Sequence, residues 1–178
     1  MMTIEQTPIN DVFIITPKVF GDNRGWFKET YNRDDFIKHG LDYNFIQDNH
    51  SFSERKGVIR GLHYQESPYA QTKLIRCVNG AITDVIVDLR KDSATYLNHI
   101  MVELSRDNHR MLLIPKGFAH GFVTMTDMVE IEYKVDMPYA PEYDRAIRYD
   151  DPTFNINWNV KAPILSDKDL NAPFYKDI

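Results

Sequence analysis

The chain has 178 residues, 43% of them apolar, which is enough for one sizeable core and short for two. Its 21 lysines and arginines face 26 aspartates and glutamates, and the net charge of −5 argues against a general nucleic-acid surface. Cys77 is the only cysteine, so no internal disulfide can form and a reducing compartment is expected. Met1 to Pro8 carries Glu5 and no apolar segment of signal-peptide length. No run reaches the roughly 18 apolar residues that span a bilayer, so a cytoplasmic protein without a membrane partner is expected.

In chain order, the first strand-like run is residues 12–16. A helix is predicted over residues 32–39, with Asn32 as N-cap and Gly40 as its stop. Strands follow at 58–64, 73–78 and 81–89, the last two joined by Asn79-Gly80, a two-residue hairpin signal. Further strands are predicted at 99–104, 111–114, 121–124 and 129–135, and residues 166–170 suit a single helical turn. Many short strands with few helices predict an all-β sandwich or barrel. No repeat, linker or low-complexity segment interrupts residues 1–178, which read as one domain.

Alternation assigns faces. In 129–135, Val129, Ile131, Tyr133 and Val135 point to the apolar side, and Glu130, Glu132 and Lys134 point away. In 58–64 the same rule sets Arg60 and His63 on opposite faces. For both to serve one pocket the ladder must break between them, and Gly61 is the natural place for a bulge.

Two stretches carry the chemical signal, Arg60-Gly-Leu-His-Tyr-Gln65 and Pro115-Lys-Gly-Phe-Ala-His-Gly121. The second has the Pro-x-Gly-x-x-His pattern of a small β-barrel whose histidine points into the mouth. The first stands where a metal-binding barrel of that type carries His-x-His, but its third position is Gln65, so a main metal ligand is missing. One histidine beside an arginine suits proton chemistry on an anionic substrate. Each residue also has a structural reading. His63 fits a hydrogen-bonded strand residue, Tyr133 a core tyrosine, and Lys73 an edge-strand charge. Asp169 fits a capping-box variant Ser166-x-x-Asp169, Arg24 a turn residue, and His120 a barrel-mouth residue with no role. Spacing alone does not bring these groups together.

Over nearly its whole length the chain resembles the dTDP-4-dehydrorhamnose 3,5-epimerase family of sugar-nucleotide epimerases. The matching pieces are Phe20-Gly-Asp-Asn-Arg-Gly-Trp-Phe27 with Glu29 and Tyr31, Gln47-Asp-Asn-His-Ser51, and Lys56-Gly-Val-Ile-Arg-Gly-Leu-His-Tyr-Gln65. They continue with Gln71-Thr-Lys-Leu-Ile-Arg76, residues 84–90, Ile114-Pro-Lys-Gly-Phe-Ala-His-Gly-Phe122, Tyr133-Lys134 and Leu165-Ser-Asp-Lys-Asp169. The resemblance implies a cupin-type jelly roll and a metal-free, cofactor-free homodimer whose N-terminal region pairs with the partner subunit. It implies His63 as base, Asp169 as its partner, Tyr133 as acid on the other face, and Lys73 beside the C4 oxygen of a 4-keto sugar. For the substrate dTDP-4-keto-6-deoxyglucose it implies Arg24 and Arg60 at the phosphates. Glu29, Gln47, Asn49 and His120 line the site, Lys168 lies near a C-terminal lid, and Tyr139 stacks on the base. Asp144 departs from the glutamate expected there, which leaves the nucleotide open. Four other readings remain: a mono-epimerase, a 3,4-ketoisomerase on the same fold, a non-catalytic sugar-binding cupin, and, against Gln65, a metal-dependent cupin.

Overall fold

The computed structural model describes residues 2–177. Strands β1 (Met2–Gln6) and β2 (Phe13–Pro17) lead into a hairpin of β3 (Val19–Asp22) and β4 (Gly25–Lys28). Helix α1 (Arg33–Lys38) precedes β5 (Gln47–Ser53) and β6 (Ile59–Gln65). Then come β7 (Lys73–Asn79), β8 (Ala81–Asp88), β9 (His99–Ser105), β10 (Met111–Ile114), β11 (Phe118–Thr124) and β12 (Val129–Val135). Strand β13 (Asp144–Ala146) and helix α2 (Asp167–Leu170) complete the set, with short 3₁₀ turns at Pro141–Tyr143 and Tyr175–Asp177.

The strands form two antiparallel sheets, ordered β1-β2-β10-β7-β12-β5 and β13-β6-β11-β8-β9, with the β3–β4 hairpin apart. Their inner faces share a core that includes Ile75, Ile82, Ile86, Leu104, Leu112, Ile114 and Ile131. Both outer faces are covered as well. Ile147, Phe154 and Trp158 pack on the second sheet, and Phe36 of α1 packs on the first beside Leu74 and Leu113. Phe36 is 1% exposed, and full burial of such a side chain contributes ~1.5–3 kcal/mol. The architecture is the cupin-type jelly roll, all-β with short marginal helices.

Helix α1 begins as predicted, Asn32 Oδ1 accepting from the N–H groups of Asp34 and Asp35, and Gly40 follows its end at φ 80°. The turn at Asn79-Gly80 is present, Gly80 taking φ 75°, but it makes no hairpin. Strands β7 and β8 belong to different sheets and do not pair, so the turn carries the chain from one sheet to the other. Other boundaries move. Strand β11 starts at Phe118, three residues before the predicted 121, because the turn at Gly117 ends earlier than the motif's glycines suggest. Lys73 is not on an edge, since β7 lies between β10 and β12. Strands β1, β3, β4, β5 and β13 have no counterpart among the predicted elements.

Candidate active site

Strand β6 breaks where the sequence requires it. Its register against β11 runs His63↔His120 and then Arg60↔Phe122, so two β6 residues, Gly61 and Leu62, oppose Gly121 alone. Gly61 has φ 122°, and a Cβ there would lie 2.5 Å from Gly121 Cα and 2.7 Å from His120 O. Only glycine fits, and the extra residue turns Arg60 and His63 to the same side.

That side opens on a cavity of about 410 Å³ between the sheets, lined among others by Arg60, His63, Lys73, His120, Tyr133 and Asp169. His63 Nε2 lies 2.5 Å from Asp169 Oδ1, the histidine 32% exposed and the aspartate 5%. Ser166 Oγ accepts from Asp169 N, so the cap exists. The Asp169 carboxylate, however, is turned to His63 and to the N–H of Gly61, which corrects the capping-box reading. Burial pushes the Asp169 carboxyl up, but the His63 hydrogen bond and charge, with Gly61 and Ser166, outweigh it and hold the group below its ordinary range. A carboxylate so fixed orients the imidazole and supports its protonated form.

Tyr133 comes from the facing sheet. It is half-buried against the core, and burial raises its phenol, partly opposed by Arg60 and aided by Asp144, so it stays protonated across the neutral range. Lys73 also stands on that sheet; burial lowers its ammonium, while Asp84 and then Asp144 oppose the fall. Arg60 is held by Ser53 Oγ at 3.2 Å and Phe52 O at 2.9 Å. A base on one sheet and a protonated phenol on the other can address opposite faces of a ring placed between them.

At the rim, Asp144 accepts from Lys168 Nζ at 2.5 Å and from the Tyr139 hydroxyl at 3.4 Å. Lys168 lines the cavity and its ammonium is raised by the Asp144 hydrogen bond, while the Tyr139 ring is 58% exposed. Gln65 supports this rim. Its amide donates to Tyr69 O and Pro138 O, and its Oε1 accepts from Ala140 N. The side chain in the expected metal-ligand position is therefore committed to a loop.

Gln47 and Asn49 lie on edge strand β5, and the register sets them beside Val135 and Tyr133, facing inward. Arg24 and Glu29 are elsewhere. Arg24 is at the β3–β4 turn, paired with Asp22 and 85% exposed, and Glu29 accepts from Asn32 Nδ2 beside α1. Neither lines the cavity of its own chain. Two residues missed from sequence join the site. Ser51 lines the cavity, and Asp84 lies 2.5 Å from His120 Nε2. The repeat Ile82-x-Asp84-x-Ile86 was the available signal, a charge in an apolar period-two run. A smaller groove of about 230 Å³ is lined by Asp48, His50, Arg76, Glu132 and Lys134. These groups already pair, Arg76 with Glu132, Lys134 with Asp48, and His50 with Glu130. Together these features define a jelly-roll barrel equipped for proton transfer.

The match to known proteins narrows that class. The profile of the dTDP-4-dehydrorhamnose 3,5-epimerase family covers residues 6–177. A dTDP-4-dehydrorhamnose 3,5-epimerase of Shigella flexneri is 49% identical over 99% of this chain and 97% of its own length. The crystal structure of the Bacillus anthracis enzyme with TDP and PPi bound superposes with a TM-score of 0.96 at 48% identity, covering 98% of this chain and 99% of that one. The Legionella pneumophila enzyme in complex with dTDP-4-keto-L-rhamnose gives 0.93 at 41% identity, over 98% of this chain and 93% of that one. The chain belongs to the dTDP-4-dehydrorhamnose 3,5-epimerase family.

Proposed function

We propose that residues 1–178 form a single epimerase domain that inverts C3 and C5 of dTDP-4-dehydro-6-deoxyglucose, yielding dTDP-4-dehydro-L-rhamnose for deoxysugar biosynthesis. The C4 carbonyl acidifies the hydrogens on both neighbouring carbons. His63 removes each proton, with Asp169 fixing its tautomer and supporting the imidazolium. Lys73 holds the negative charge that develops on the C4 oxygen, in a cavity where burial strengthens the interaction. Tyr133 returns a proton from the opposite face. No net electron transfer occurs, so no redox cofactor is required. Gln65, committed to its loop, leaves no second ligand where a barrel of this kind would hold a metal.

Arg60 takes the diphosphate, Tyr139 stacks on the base, and Lys168 with Asp144 closes the rim. His120 lines the same cavity, and Gln47 and Asn49 on edge strand β5 extend the substrate site beyond it. Arg24 and Glu29 reach the site of a partner subunit in a homodimer. Support for the homodimer comes from the hairpin that carries Arg24, which exposes Phe20, Trp26 and Phe27, the last 69% accessible. The lone, buried thiol of Cys77 suits the cytoplasm, and among the described residues no helix is long and apolar enough to cross a membrane.

The observation that carries the reading is the His63–Asp169 pair facing Tyr133 across one cavity. Incubation with dTDP-4-keto-6-deoxyglucose in heavy water should place deuterium at both C3 and C5. Exchange at C3 alone would make the protein a mono-epimerase, and no exchange at either carbon would leave a non-catalytic sugar-binding barrel.

A further inference from the structure

We propose that Asp84 is a positioning residue whose buried carboxylate is the counter-charge that keeps Lys73 cationic and seats His120 at the wall of the cavity. Asp84 is fully buried, and neither of its oxygens has a hydrogen-bond partner among the described residues. It occupies a core position on β8, between Ile82 and Ile86, both of which are completely inaccessible. A carboxylate there is costly unless a cation compensates it. Its neighbours His120 and Lys73 are basic side chains that belong to the cavity. His120 Nε2 lies 2.5 Å from Asp84 Oδ1, outside hydrogen-bond geometry but within ion contact. Lys73 feels Asp84 through space as the larger of the two negative charges acting on it.

Asp88, equally buried on the same strand, marks the contrast. It accepts from Arg90, Ser93 and Thr95, all outside the cavity, and its role is closed within that loop. Asp84 has no such set, and its charge is directed at cavity residues. Burial alone drives Lys73 toward the neutral amine, which cannot neutralise an enolate. A fixed negative charge behind it opposes that loss without occupying the substrate side. The inference rests on the role given to Lys73 above.

The test compares Asp84→Asn, which keeps the shape and removes the charge, in native and Lys73→Met backgrounds. In the native background kcat should fall roughly 10- to 100-fold, the scale on which loss of a supporting partner acts, with KM within about twofold. In the Lys73→Met background the same substitution should add little. Unchanged kcat, or an equal loss in both backgrounds, would overturn the inference. Should Asp84→Asn alone fail to fold, the double variant decides. A native circular dichroism spectrum would support a role through Lys73, and a second unfolded protein would overturn it. A fully active Lys73→Met protein would remove the reading of Lys73 and this inference with it. An inactive Lys73→Met beside a fully active Asp84→Asn would overturn this inference alone.

Discussion

Tyr133→Phe separates the acid from the base. The substitution removes one hydroxyl and leaves the ring packed against the core between the sheets. That hydroxyl has no hydrogen-bond partner among the described residues, so its loss orphans no buried group, and stability should change by less than about 1 kcal/mol. His63 and Asp169 stand on β6 and α2 and make no contact that depends on Tyr133. Proton abstraction should therefore continue. Reprotonation from the opposite face should not, and loss of a positioned acid costs roughly 10²-fold or more, about 2.7 kcal/mol in the barrier. The assay follows two signals in heavy water by NMR: loss of the C3 and C5 proton signals, and appearance of the inverted sugar. Exchange should persist while inversion falls by that factor. An equal fall in both would mean that Tyr133 stabilises the enolate or holds the substrate, and full activity would reduce it to a core tyrosine.

Other outcomes follow from the same geometry. Treatment with EDTA should leave turnover unchanged, and activity lost to the chelator and restored by a metal would refute the reading of Gln65. Gly61→Ala should cost more than about 3 kcal/mol in urea denaturation, because the new Cβ meets backbone at 2.5 Å and the φ of 122° is strained for alanine; unchanged stability would contradict it. Asp169 has its carboxyl lowered in the folded protein, so its contribution is fully present above about pH 4 and is lost as pH falls through the folded value. The stability difference between the native protein and Asp169→Asn should shrink from pH 5 toward pH 3, and a difference constant over that range would argue against the pair.

Much of the barrel was legible because its central strands alternate cleanly. The face of Tyr133 and the break at Gly61 both followed from period two and from glycine's special backbone. Strand β5 escaped because its inward residues Gln47, Asn49 and Ser51 are polar, Ser51 lining the cavity, while its one aromatic residue, Phe52, points outward, leaving no apolar alternation. The β3–β4 hairpin escaped for the opposite reason, its four-residue strands exposing their aromatic residues. Asp169 illustrates a different limit. The cap signal at Ser166 was correct, but the direction of the carboxylate depends on β6, over a hundred residues away in sequence. Arg24 and Glu29, which only the family resemblance singled out, lie away from the cavity of their own chain.

The account places one base at the centre of both inversions, and His63→Ala tests that directly. The folded variant, with its circular dichroism spectrum intact, would be incubated with dTDP-4-keto-6-deoxyglucose in heavy water. Deuterium incorporation at C3 and at C5 should both drop to the uncatalysed background, since Asp169 alone has no imidazole to carry the proton. Measurable exchange above background at either carbon would show that another group abstracts the proton there and would contradict the account.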